Sequence, residues 1–486
     1  MRAVLAIDEG TTGVRAYVFD REARLLGHAY AEVETFYPAP GWVEQDPVAV
    51  WQTTLDVSRT AISRAGIAAR SIAAIGLCTQ RATTIVWERR TGRPVYRAIV
   101  WQDTRTAARA AALANEGVFT NAMASATKLE WILDRSPELR SRAEHGELCF
   151  GTMDSWLVWN LTGAQAHVTD HSNASCTTLY EPFQGSWWAH ALRALRIPEA
   201  MLPKLRSTSE VYGHTPPDLF GAPIPVASIA GDQQAAMFGE LGWDKGAAKI
   251  TLGTSAMADV HTGTEPAFSP HGAYPLVLWN LGSERCFCLE GTAIAAGAAI
   301  QWLRDGLRIL PSVEDAALVA TTVTDHGGVW AVPAFQGLGT PHMNPEARAV
   351  IGGLSRGSTA AHIVRAMLEG IAFRCREVLS TLFADASLAP PERLRVDGGA
   401  AANDVLLQCL ANVLGCEVER PASVQASVLG AAFLAGLAVG LWQDRQELRQ
   451  HWRSGGVFAP QWSRDEREER FARWQRAIEA ARLGSL

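Results

Sequence analysis

The chain has 486 residues, enough for two to four domains at roughly 150 residues each. Its 48% hydrophobic and 19% charged fractions describe a folded globular protein and exclude a disordered one. A balance of 44 Lys and Arg against 50 Asp and Glu gives a net charge of −6, which excludes a nucleic-acid or anionic-membrane binder held by bulk positive charge. The opening MRAVLAIDEG reaches an acid at Asp8, so no secretory leader is expected. The most apolar stretch, 428–441, is shorter than the roughly 20 residues a bilayer span needs. The cysteines include no Cys-x-x-Cys pair and are expected as buried free thiols of a cytoplasmic protein.

Residues 3–8 form an apolar run ending in an acid. The Gly- and Thr-rich 9–13 follows, then a second run at 14–19, a turn at Asp20-Arg21-Glu22 and a third run at 25–33. This spacing predicts a β-meander. Asp46-Pro47 opens a predicted helix over 48–63, with Asp46 as N-cap and Pro47 in the first turn. Strands are predicted over 72–77 and 83–87, and helices over 104–115, 127–134 and 153–161. A buried strand over 224–230 precedes a helix over 233–241, and Gly242 and Gly246 mark a domain break near 241–247. The second half starts as the first did, with Ile250-x-x-Gly253-Thr254 echoing Ile7-x-x-Gly10-Thr11 at an offset of half the chain. That echo predicts two similar domains. Helices over 292–308, 359–383, 403–414 and 427–439 follow, with strands over 328–333 and 394–396 and a charged amphipathic helix over 464–483.

Four predicted strand ends carry Gly with Thr or Asp: Asp8-x-Gly10-Thr11-Thr12, Gly231-Asp232-Gln233, Gly253-Thr254-Ser255 and Asp397-Gly398-Gly399. Glycine lets backbone N–H groups approach an anion, and Thr hydroxyls add donors. Each segment alone is also an ordinary strand-to-turn stop. Together with the half-chain echo they point to two Gly-Thr turns gripping a phosphate chain. Asp8 and Asp232 then hold Mg²⁺ or take a proton from an attacking hydroxyl. No Gly-x-x-x-x-Gly-Lys-Ser/Thr loop occurs, which excludes a P-loop enzyme. No Gly-x-Gly-x-x-Gly follows the first strand, which argues against a Rossmann dehydrogenase.

Longer segments carry a resemblance. They include DEGTT (8–12), PGWVEQDP (40–47), TQRATTIVW (79–87), IVWQDTRT (99–106), TKLEWILD (127–134) and VTDHSNAS (168–175). IAGDQQAAMFG (229–239), GAAIQWLRD (297–305), VPAFQGLGTP (332–341) and VDGGAAAN (396–403) continue the series. In this order they resemble the FGGY carbohydrate kinases, and within them the glycerol kinase branch most closely. The resemblance implies an α/β fold of two actin-like (ribonuclease H-like) domains with a nucleotide cleft between them. The implied division is 1–243 for the acceptor and catalytic base, 244–445 for the nucleotide, and a helical tail at 446–486. It also implies ATP and Mg²⁺ as cofactors, a small polyol or sugar as acceptor, and a homo-oligomer (dimer or tetramer) without nucleic-acid or membrane partners.

By the same resemblance Asp232 is the general base, and Asp8 and Asp232 organise Mg²⁺. Gly10, Thr11, Thr12, Arg15, Gly253, Thr254, Gly297, Gln301, Gly398, Gly399 and Asn403 hold the nucleotide. Arg81, Ala82, Trp101, Asp232 and Gln233 face the acceptor. The acceptor segments depart from the glycerol kinase pattern. Gln80-Arg81-Ala82 stands where that branch reads Gln-Arg-Glu. Residues 120–124 lead into Ser125-Ala126-Thr127-Lys128 without the usual substrate-binding Tyr. Met257 replaces an aromatic wall, Glu9 a Gln, and His342-Met343-Asn344 a Tyr-Trp-Asp. These losses imply an acceptor larger or less polar than glycerol. Glycerol itself, and a catalytically weak nucleotide-binding regulator, stand as the alternatives.

Overall fold

The computed structural model describes residues 2–422 and 425–483. The chain forms two compact units, each assembled from separate stretches: residues 1–239, 276–286 and 427–452 in the first, and residues 240–275, 287–426 and 453–486 in the second. The partition is therefore interleaved along the chain. Helix Ala426–Ala438 accounts for the return to the first unit. Its Gly430 lies so close to helix Asp232–Gly239 that a Cβ there would overlap the Ala235 carbonyl.

The two units repeat one strand order. In the first, Ala3–Gly10, Gly13–Asp20 and Leu25–Glu32 form an antiparallel meander. Ile72–Thr79 lies parallel to Ala3–Gly10, Pro225–Gly231 parallel to Ile72–Thr79, and Ser209–His214 closes the edge antiparallel. In the second, Ala248–Leu252, Ala256–Gly263 and Glu284–Ala293 lie antiparallel in turn, with Tyr274–Leu281 added at the outer edge as a seventh strand. Arg393–Asp397 and Glu417–Pro421 follow in parallel, and Ser454–Phe458 closes the edge antiparallel. The half-chain echo thus marks the first hairpin of each sheet. Central strands such as Ala3–Gly10 are buried over almost their whole length, which is why they read as continuous apolar runs without alternation.

Helices cover the sheets through apolar faces. Helix Pro47–Ala65 starts at Asp46, whose Oδ1 accepts the Val48 N–H at 2.9 Å, and ends at Gly66 with φ 66°. It turns Val50, Leu55, Val57, Ala61 and Ile62 inward, next to strands Gly13–Asp20 and Leu25–Glu32. In the second unit helix Ala360–Asp385 runs through the core and contacts Ala256–Gly263 and Asp404–Leu414.

Two expectations need correction. The helix expected over 292–308 spans only Gly297–Asp305, because Thr292 and Ala293 pair with Met257 and Ala256 and finish a strand. The region 446–486 is not a purely helical tail: Ser454–Phe458 pairs with Glu417–Pro421, and helix Arg464–Arg482 buries Trp474, Ala477, Ile478 and Ala481 in the second core. Among the described residues no helix is long and apolar enough to cross a membrane.

Candidate active site

Three parallel strands of the first sheet end level with one another. Glu9 pairs with Thr79, and Thr79 pairs with Gly231. The register therefore brings together Asp8, the segment Gln80-Arg81-Ala82, and Asp232 at the strand-to-helix switch. Arg81 Nε lies 3.1 Å from Asp232 Oδ1, and the Gln233 N–H donates to the same oxygen at 2.8 Å. The Asp232 side chain is 34% exposed, so an incoming hydroxyl can reach it.

The switch is held from behind. Ser172 Oγ accepts the Gly231 N–H at 2.9 Å and donates to Asp170 Oδ1 at 2.9 Å. The buried Asp170 also accepts the Ser172 and Asn173 N–H groups and the Thr208 hydroxyl. This gives the VTDHSNAS segment its role, which its residue types alone did not reveal. Asp8 is 6% exposed; its Oδ2 accepts the Ser427 hydroxyl at 3.1 Å and faces Arg15 Nη1 at 3.7 Å. Ser427 comes from the far end of the chain, and no local signal marked it.

A hydrogen-bond chain fixes the first Gly-Thr turn. Thr11 and Thr12 form the two-residue loop between the paired Gly10 and Gly13. Gln45 Nε2 donates to the Thr11 carbonyl at 2.7 Å, and Trp101 Nε1 donates to Thr11 Oγ1 at 2.9 Å. Gln80 Nε2 bridges Glu9 Oε1 and Gln45 Oε1 at 2.9 and 3.1 Å, while Gln80 Oε1 accepts the Thr83 hydroxyl at 2.8 Å. Trp101 is therefore tied to the turn named for phosphate, while Ala82 is buried beside Arg81 with φ 60°.

The second unit carries the remaining expected residues. Gly253 and Thr254 turn the hairpin into Ala256–Gly263, and their carbonyls accept the N–H groups of Gly297 at 2.9 Å and Ala298 at 3.1 Å. The start of helix Gly297–Asp305 is thereby locked to the turn. Gln301 is exposed on that helix, one turn after Gly297. Gly398 has φ 87°, and a Cβ there would lie 2.6 Å from the Leu252 carbonyl oxygen, so the turn after strand Arg393–Asp397 admits only glycine. Gly399 opens the short helix Gly399–Ala402. Asn403 Oδ1 caps helix Asp404–Leu414 by accepting the Leu406 N–H at 3.0 Å, which commits its oxygen and leaves its amide donor.

Electrostatics separate the two neighbouring acids of the first strand. Burial pushes the Asp8 carboxyl up to about 6; Arg15 opposes this and Asp232 reinforces it. Burial lifts Glu9 well above the usual carboxylate range against the hydrogen bond from Gln80. For Asp8 the folded pKa lies above the ordinary 3.8, so between these values the folded chain binds more protons than the unfolded one. The resulting penalty is absent below about pH 4 and complete above about pH 6. Asp8→Asn is expected to stabilise the ligand-free protein by about 1–3 kcal/mol at pH 7.5 and by less at pH 4.5. Urea unfolding at both pH values checks this, and an equal gain at both would remove the ionised carboxylate as the cause.

Residues 3–239 match the FGGY family of carbohydrate kinases, N-terminal domain, and residues 248–439 match the C-terminal domain of the same family. The chain is 48% identical to a glycerol kinase of Trichlorobacter lovleyi, over 99% of each chain. It is 45% identical to a glycerol kinase of Petrotoga mobilis, over 99% of this chain and 98% of the other. The crystal structure of Plasmodium falciparum glycerol kinase with ADP superposes with a TM-score of 0.92 at 28% identity, covering 99% of this chain and 98% of that one. With both family domains matched in order and the repeated sheet topology in place, the chain belongs to the FGGY family of carbohydrate kinases and has its two-domain, actin-like α/β fold.

Proposed function

We propose that this kinase transfers the γ-phosphoryl group of ATP to a hydroxyl of a small polyol or sugar, with Asp232 as general base. The observation that carries the proposal is the meeting of Asp8, Arg81 and Asp232 at level ends of three parallel strands. Arg81 and the Gln233 N–H engage Oδ1, which orients the carboxylate and leaves Oδ2 as the proton acceptor. The acceptor oxygen forms its bond to the γ-phosphorus as its proton passes to Asp232, and ADP departs as the bridging bond breaks. Nucleotide contacts are proposed for Gly10, Thr11, Thr12, Arg15, Gly253, Thr254, Gly297, Gln301, Gly398, Gly399 and Asn403.

Asp8 and Asp232 fit Mg²⁺, which commonly takes one or two protein carboxylates and fills its other positions with water and phosphate oxygens. Burial disfavours the ionised form of the Asp8 carboxyl, which a bound dication would stabilise. When bound, Mg²⁺ supplies charge neutralisation to the phosphates.

For the acceptor, Arg81, Trp101, Asp232 and Gln233 remain, while position 82 offers no carboxylate. This favours an acceptor longer than glycerol. A second reading, glycerol itself, is favoured by the 48% and 45% identical relatives that carry that activity in their names. Coupled ADP release over glycerol, tetritols, pentitols, hexitols and ketoses distinguishes them. The expected result is a longer polyol or sugar with the highest kcat/KM. Glycerol ahead of every other acceptor establishes the second reading. Retained ATP binding with no acceptor-dependent ADP release overturns both in favour of a nucleotide-binding regulator.

A further inference from the structure

The Ser125-Ala126-Thr127-Lys128 segment opens helix Ser125–Leu133, yet none of its side chains belongs to the site described above. All three of its polar side chains are buried. Lys128 is fully buried, and its three donors go to three backbone carbonyls: Val100 at 2.9 Å, Trp101 at 3.0 Å and Met123 at 3.0 Å. Ser125 Oγ donates to the Ala82 carbonyl at 3.0 Å, and Thr127 Oγ1 to Thr106 Oγ1 at 2.8 Å.

Burying an ammonium against neutral carbonyls is a poor way to stabilise a fold, since an apolar side chain of the same size fills the space without desolvating a charge. What the ammonium does instead is tie two stretches of chain to one atom. Nζ joins the segment after strand Ala98–Ile99 to the short 120–124 turn. The Trp101 indole then reaches Thr11 Oγ1 at 2.9 Å. Ser125 holds the residue after Arg81, the side chain bonded to Asp232. We propose that Lys128 and Ser125 are positioning residues for the acceptor, Lys128 clamping the backbone of Trp101 and of the 120–124 turn and Ser125 clamping the backbone of Ala82. The inference rests on the proposed reading that Arg81, Ala82 and Trp101 face the acceptor.

The test is a split between two Michaelis constants, measured with glycerol and with the most active acceptor of the panel. Lys128→Met is expected to raise the acceptor KM by about ten- to a hundredfold and to leave the ATP KM within about threefold. Trp101→Ala also raises the acceptor KM. The double variant is expected to fall clearly short of the sum of the two single losses, because part of the clamp acts through Trp101. Ser125→Ala removes one oxygen, keeps the test open if Lys128→Met does not fold, and is expected to raise the acceptor KM by about two- to tenfold with the ATP KM unchanged. Acceptor and ATP constants that rise together, fully additive losses, or an unchanged acceptor KM in the folded variants would overturn the clamp. An unchanged acceptor KM in Trp101→Ala would overturn the reading of the acceptor site, and the clamp with it. A raised value there beside unchanged Lys128→Met and Ser125→Ala would overturn the clamp alone.

Discussion

Asp232→Asn is expected to lower kcat by at least about a thousandfold while the ATP dissociation constant stays within about threefold of the parent value. Asparagine keeps the shape of the side chain. Its Oδ1 can still accept the Gln233 N–H and the Arg81 Nε–H, which sit at 2.8 and 3.1 Å in the parent, so the switch from strand to helix is preserved. The base is lost, and the attacking hydroxyl must give its proton to water or to the phosphate itself. Single-turnover kinetics with saturating acceptor, together with calorimetric titration of ATP in its absence, separate the two effects. Near-parent turnover would remove Asp232 from the chemistry. A matching loss of ATP affinity would instead place its main contribution on the nucleotide or its cation.

The parts of the fold legible in the sequence are those encoded locally and twice. Ile7-x-x-Gly10-Thr11 and Ile250-x-x-Gly253-Thr254 each mark the first hairpin of a sheet, and both sheets then follow one strand order. Asp8 and Asp232 stood out because an acid followed or preceded by glycine at the end of a buried strand is a visible pattern. The parallel register then places them together. Partners brought in from a distance were not legible. Ser427 reaches Asp8 from a helix at the other end of the chain, and Ser172 holds Gly231 through a segment whose composition suggests only a turn. The Ala-rich run 293–300 carries strong helix propensity from its start, yet Ala293 completes a strand, because pairing with Ala256 outweighs local preference. The opposite failure occurs at Ser454–Phe458: two glycines lower its strand propensity, and pairing with Glu417–Pro421 makes it a strand nonetheless.

Ala82→Glu tests the acceptor most directly, with an expected rise in kcat/KM for glycerol of about tenfold to a hundredfold, the worth of one charge-assisted hydrogen bond. The backbone at this position is already committed. The Ala82 carbonyl accepts the Ser125 hydroxyl at 3.0 Å and the Thr84 hydroxyl at 3.3 Å, and φ is 60° in a residue that already carries a β-carbon. The substitution therefore changes what the side chain offers without a new demand on the main chain. A small triol makes few contacts, so one unmade hydrogen bond removes a large share of its binding. A longer acceptor reaches further partners and depends less on position 82, and the new carboxylate takes up room that it uses. Glycerol is thus expected to gain while the best long acceptor loses, and the ratio of their kcat/KM values moves in one direction. Two measurements weigh against this. Parent activity on glycerol that already exceeds every other acceptor would mean the missing carboxylate is replaced from elsewhere. An Ala82→Glu variant that folds and gains nothing would place the specificity in the 120–124 turn or the 342–344 loop, where the chain also departs from the glycerol kinase pattern.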